Sequence, residues 1–257
     1  MHVELRLNFS LLYGFLLVLA RIAGAIAFVP IPGVSAGPAA SRIVLALALT
    51  IALFPVWPAP VVEGPVVGTL LGWMAAEAAF GLTISAAVAF LLEGIQMAAQ
   101  MIGLQAGYSF ASTVDPSTQA DTTSLQILAQ LLAGSLFFAF GFDRQVIRIL
   151  AKSLESVPGG IYALTGSIVD AITHLGSAIF VTGLQLAAPV LALLLLLDIA
   201  FAVLGRLQPQ LQLLSLSFSI KMLVGVAFLA GILSLFPPVF AKTGAATFQT
   251  LMRLLNP

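Results

Sequence analysis

Four ionisable side chains, Arg21, Glu77, Asp198 and Lys221, fall inside long apolar stretches of the sequence. A charge at the centre of hydrocarbon costs at least about 2.5–3.5 kcal/mol on insertion scales, so such groups turn toward a bundle interior and find partners. Two acids and two bases permit pairing. A fifth charge, Arg206, stands about two helical turns beyond Asp198, roughly 12 Å along a straight helix and too far for direct contact. Their partners must therefore lie on another helix or another chain. The roles open to these charges are pairing between chains, snorkelling at helix ends and a proton relay.

A second polar concentration lies between residues 93 and 124. Glu93, Gln96 and Gln100 share one helical face by their spacing, and Met97 with Met101 a neighbouring one. The amides need partners, so this face is expected to look at protein or trapped water. Then come Gly103-Leu104-Gln105-Ala106-Gly107, Tyr108, Phe110 and Asp115-Pro116, in a run rich in Ser, Thr and Gln. Glycines four apart either pack closely or break a helix, and Asp-Pro favours a turn. The pattern predicts a helix that stops, followed by a polar loop over 107–123. Non-helical backbone at membrane depth survives only when buried in protein or lining a water-filled cavity. A pore-side loop or plug is one reading, and an ordinary extramembrane loop the other.

Catalytic chemistry has no foothold in the residue pattern. Walker A, HExxH and GxSxG sequences are absent, and the chain has no cysteine and only two histidines, His2 and His174, far apart in sequence. No catalytic, cofactor-binding or metal site is expected. With 10 basic against 10 acidic residues, no basic face is available for a phosphate backbone, which argues against nucleic acid as a partner.

The elements that must position these residues are membrane helices. At 60% hydrophobic and 8% charged, the 257 residues lie far outside soluble composition and imply contact with membrane lipid. Six stretches approach or exceed the roughly 20 apolar residues that a bilayer crossing needs: 9–29, 39–56, 66–92, 125–142, 178–204 and 213–240. Pro189 predicts a kink in the fifth. Gly64, Gly68, Gly72 and Ala76 recur every four residues, which predicts a seam where another backbone approaches closely. Counting Lys and Arg in the connections favours both ends on the cytoplasmic side. The expected fold is an all-α, multi-pass membrane protein of about six hydrophobic helices.

The ordered set of motifs resembles the FliR family of flagellar biosynthetic membrane proteins and its virulence type III secretion relatives. Arg21 with Pro30-Ile31-Pro32-Gly33, Pro38, Arg42 and Pro55 is similar to the family's opening. Glu77, Gly81, the Gly103 to Gly107 run and Asp115-Pro116 are similar to its central signature. Ser153, Pro158-Gly159-Gly160, Ala188-Pro189, Asp198, Arg206, Pro209-Gln210, Lys221 and Gly225 extend the resemblance to about residue 240. The connection at Gly141-Phe142-Asp143-Arg144, Ala202 and Gln212 depart from the common pattern.

The resemblance implies helical hairpins, with residues 1–142 a FliP-like half and 143–257 a FliQ-like half. It also implies a core subunit of the flagellar type III export gate, assembled with FliP and FliQ beside FlhB and FlhA. Such a gate sits in the bacterial inner membrane, in the flagellar basal body, and passes unfolded flagellar export substrates. The loop 107–123 matches the family's pore plug, and much of the assembled gate is displaced toward the periplasm. A solitary secondary transporter or small-solute channel is the rival that shares the composition, broken helices and intramembrane charges.

Overall fold

The computed structural model describes residues 9–29, 39–57, 67–108, 124–156, 166–208 and 213–255. Among them every regular element is helical and there is no strand. The α-helices are α1 (Phe9–Ile26), α2 (Ala39–Ala52), α3 (Val67–Ala106), α4 (Ser124–Ala139), α5 (Phe142–Ser156), α6 (Gly166–Leu207), α7 (Leu213–Ile232) and α8 (Phe236–Leu255). Short 3-10 turns follow α2 at Phe54–Val56 and join α7 to α8 at Leu233–Leu235. Pro237 and Pro238 sit in the first turn of α8, where a missing amide proton costs nothing. The all-α membrane fold expected from composition is the one observed.

Helix lengths depart from the six expected crossings. The third stretch does not stop near residue 92 but continues to Ala106, giving α3 its 40 residues. The fifth begins earlier, and α6 runs 42 residues, through Pro189. Three helical segments are long and apolar enough to cross a membrane: Gly68–Ala106, Ile168–Leu207 and Leu216–Leu254. At 1.5 Å per residue each is roughly 60 Å long, about twice a hydrocarbon core. Leu125–Ala139 and Phe142–Ser156 qualify together as a broken span, while Leu11–Ile26 and Ala40–Ala52 are shorter apolar helices. Glu93 and three glutamines in α3, and Asp170 and His174 in α6, lower local hydropathy while remaining compatible with helix, so both helices outrun the purely apolar windows. The amphipathic α5 escaped a search for apolar stretches because five of its residues are charged.

Two compact units divide the chain. The first contains residues 1–89, 141–175 and 246–257. Its core joins Val18, Ile22 and Ile26 of α1 to Ala46 of α2 and Leu154 of α5. Trp57 closes the α1–α2 hairpin. Its ring lies 5.7 Å from that of Phe15, and its indole nitrogen donates to the Thr50 carbonyl at 3.0 Å. Arg42 donates to the Ala27 carbonyl at 2.7 Å, satisfying backbone just beyond the end of α1.

The second unit contains residues 90–140 and 176–245. Here α3 and α6 approach closely at two small residues. A Cβ added at Gly94 would lie 3.1 Å from the Thr182 side chain, and one at Gly183 would lie 2.9 Å from that of Met97. Met97 is thus packing material within the chain, as its adaptable shape suits. α7 joins them through Gly225, which faces Ala106 and Leu194.

Candidate functional site

The four intramembrane charges pair within the chain, Arg21 with Glu77 and Lys221 with Asp198, each pair inside one unit. In the first, Arg21 of α1 and Glu77 of α3 are each 1% exposed and directly ion-paired through the arginine Nε. Arg21 Nη1 also donates to the Ser153 carbonyl at 2.6 Å and to its Oγ at 3.2 Å, which brings in α5. The guanidinium carbon lies 4.8 Å from the Phe80 ring centroid, in range for a cation–π contact. Five donors in a planar fork let one arginine tie three helices together.

Two glycines make this approach possible. A side chain at Gly81 would collide with the Arg21 carbonyl and lie 2.6 Å from the Ala25 amide nitrogen. One at Gly24 would collide with the Ala78 carbonyl. α1 and α3 therefore touch backbone to backbone one turn from the ion pair. Within the unit no charge is stranded: among the described residues every buried side-chain nitrogen or oxygen has a hydrogen-bond partner.

The second centre lies at the end of α3. Asp198 of α6 accepts from Lys221 Nζ of α7 at 2.8 Å and, through its other oxygen, from Gln105 Nε2 of α3 at 2.8 Å. Lys221 is largely buried, while the Asp198 side chain is 39% exposed. One carboxylate thus fastens three helices at the end of α3.

That end is built by glycine. Gly107 adopts φ +87°, the left-handed region open to a residue without Cβ. Its amide donates to the Leu104 carbonyl at 3.2 Å and the Tyr108 amide to the Gly103 carbonyl at 2.9 Å, the paired bonds of a Schellman cap. Any Cβ at Gly107 would also lie 2.6 Å from the Phe218 ring. Tyr108 then donates its hydroxyl to the Met222 carbonyl at 3.3 Å, and burial pushes its ionisation above the usual phenol range. The predicted helix stop is therefore real, and its root is clamped onto α6 and α7.

Other sequence candidates are placed differently. Gln105 belongs to the last turn of α3 and not to the loop that follows. Arg206 is exposed and has no ion pair among the described residues. Glu93 and Gln100 are exposed, and Gln96 donates to Glu93 at 3.0 Å. A Cβ at Gly68 or Gly72 would meet nothing within 4 Å, so no described helix of this chain packs on that stretch of the glycine row. Gly64, Phe110, Asp115 and Pro116 lie outside the described residues, as does most of loop 107–123. Sequence reasoning missed Ser153 as a partner of Arg21, and Phe80 and Gly24 altogether. The spacing from Glu77 to Phe80 and Gly81 puts all three near one face of α3, a signal that could have found Phe80.

The family described as "Bacterial export proteins, family 1" matches residues 12–246. Flagellar biosynthetic protein FliR of Escherichia coli (strain K12) is 30% identical over 239 residues, spanning 93% of this chain and 91% of the relative. FliR of Bacillus subtilis (strain 168) is 25% identical over 94% of each chain. Surface presentation of antigens protein SpaR of Salmonella typhimurium (strain LT2) is 25% identical over 90% of this chain and 86% of the relative. With the family's extent covering the Arg21–Glu77 pair, the Asp198 junction and all eight helices at least in part, the chain belongs to the bacterial export proteins of family 1.

Proposed function

We propose that this chain is a core subunit of the flagellar type III export gate, where it helps to form and close the channel for unfolded flagellar proteins. In this reading it assembles with FliP and FliQ beside FlhB and FlhA in the bacterial inner membrane. Residues 1–142 play a FliP-like part and 143–257 a FliQ-like part. Arg21, Glu77, Asp198 and Lys221 hold the helices in the shape that assembly requires, and Arg206 contributes a charged helix end. The chain performs no chemistry; energy for transport comes from other subunits.

The observation that carries the closure role is the anchored root of the polar loop. A Schellman cap at Gly107, the Tyr108 hydrogen bond to α7 and the Gln105–Asp198–Lys221 junction fix where residues 107–123 leave α3. A segment that blocks a channel needs such a fixed hinge, because a plug free at its base loses conformational entropy on every closure. Deleting residues 112–118 should leave assembly with FliP and FliQ intact while raising ion permeability of the reconstituted complex well above the parent. Parent-level permeability in a normally assembled complex would remove the plug from the account.

A further inference from the structure

α5 sorts its side chains onto opposite faces. Phe142, Val146, Ile149, Leu150, Ser153 and Leu154 are buried, whereas Arg144, Arg148 and Lys152 recur every four residues on the other side. Arg144 and Arg148 are exposed and Lys152 half-buried. No ion pair or side-chain hydrogen bond holds any of the three among the described residues. One acid, Glu155, shares their face, so the row keeps a positive excess; Asp143 lies in the first turn, where the helix dipole favours it.

The buried face is already occupied. Phe142 packs on Phe248 with ring centroids 5.0 Å apart, Leu154 belongs to the α1–α2 core, and Ser153 holds Arg21. α5 therefore cannot roll over to insert its buried apolar side into lipid; its free face carries the three cations beside one exposed apolar residue, Ile147, at 42%.

Along the chain, α5 follows immediately on α4, an apolar helix with Leu128 62% and Leu131 63% exposed. Exposed leucines on such a helix call for lipid or another chain. The turn between them passes through Gly141, at φ +66°. Basic residues just after an apolar segment stand where a membrane gives way to its headgroups.

We propose that Arg144, Arg148 and Lys152 form a docking surface for anionic phospholipid headgroups. Guanidinium groups match phosphate oxygens in bidentate geometry, and lysine adds a point charge. Because Ile147 is the one large apolar residue exposed on α5 among the described residues, binding is chiefly electrostatic and sensitive to salt, unlike that of an amphipathic helix inserted by a whole apolar face. The inference does not depend on the plug, only on the chain being a membrane protein.

Native mass spectrometry of the purified full-length chain, titrated with phosphatidylglycerol or phosphatidylcholine in neutral detergent, reads the preference directly. Phosphatidylglycerol should be retained preferentially, and the preference should collapse at roughly 1 M salt, where the Debye length is about 3 Å. Each cation removed should weaken it about fivefold, so R144Q and R148Q each lower retention, R144Q/R148Q/K152Q abolishes the preference, and R148K keeps most of it. The single exposed-site variants and the salt titration of the parent decide the matter if the triple variant does not fold. Equal retention of both lipids, a preference indifferent to salt, or Gln variants that bind like the parent would overturn the proposal. So would stronger binding to a polyglutamate peptide than to phosphatidylglycerol at equal charge, which would point to an acidic protein segment instead.

Discussion

Arg21 and Glu77 show how a charge survives in an apolar core. Isolated, each would cost several kcal/mol to bury, but together with Ser153 and the Phe80 ring they leave no polar atom unmatched. Asp198 and Lys221 form a more open version, with the carboxylate partly exposed and held at a junction of three helices. The two pairs should therefore respond differently to truncation. Glu77→Ala strands a buried guanidinium and should destabilise the first unit by about 3–5 kcal/mol, read as a large loss of thermal stability in detergent. Asp198→Ala leaves a mostly buried ammonium that can still reach toward water, so its stability loss should be smaller and its effect on assembly with FliP and FliQ larger. Equal losses of stability would contradict that ranking. The need for pairing was legible in the sequence, because intramembrane charges demand partners. Which acid met which base was not: residues 56 apart, as Arg21 and Glu77 are, come together only through the path of the chain.

Glycine teaches a similar lesson for helices. The row Gly64, Gly68 and Gly72 has the regular spacing of a packing seam, yet Gly68 and Gly72 face open space in this chain. Gly24 and Gly81, in no such row, carry the backbone contact between α1 and α3. Periodicity reports that a face is small, and only the fold decides whether a neighbour comes to it. Gly81→Val should force α1 and α3 apart at Arg21 and cost at least about 1–3 kcal/mol. Gly72→Val should leave the isolated chain's melting temperature unchanged. If it also leaves co-purification with FliP and FliQ unchanged, no other chain packs on that row; reduced co-purification would mark it as an interface. Helix ends were more readable. Gly107 after the polar turn of α3 marked a stop, and the structure places a left-handed cap there. α5 escaped notice because the membrane criterion looks for apolar runs, whereas this helix alternates buried and charged residues at a 3.6-residue period.

At the scale of the whole molecule, the chain has more apolar surface than its own folding buries. Val181 and Leu196 of α6 are 67% and 63% exposed, and Leu223 of α7 is 72% exposed, a pattern expected of a protein covered by lipid or by other subunits. Three segments of about twice the bilayer thickness exceed what crossing alone requires. The exposed surface suits any membrane protein, whereas segments of that length suit a subunit of a larger helical assembly. Composition made the membrane class and the all-α fold plain, and the ordered motifs indicated the family. The continuation of α3 to its stop was legible in the spacing of Glu93, Gln96 and Gln100, whereas the early start of α6 was not, because Asp170 and His174 lower hydropathy without breaking the helix. The central claim is that this chain works only as part of a mixed gate. Co-expression with and without FliP and FliQ from the same genome, extraction in mild detergent and a mass measurement of what co-purifies test it most directly. The account predicts a defined mixed oligomer containing one copy of this chain. A stable lone monomer or homodimer, formed equally well in the presence of both partners, would contradict it.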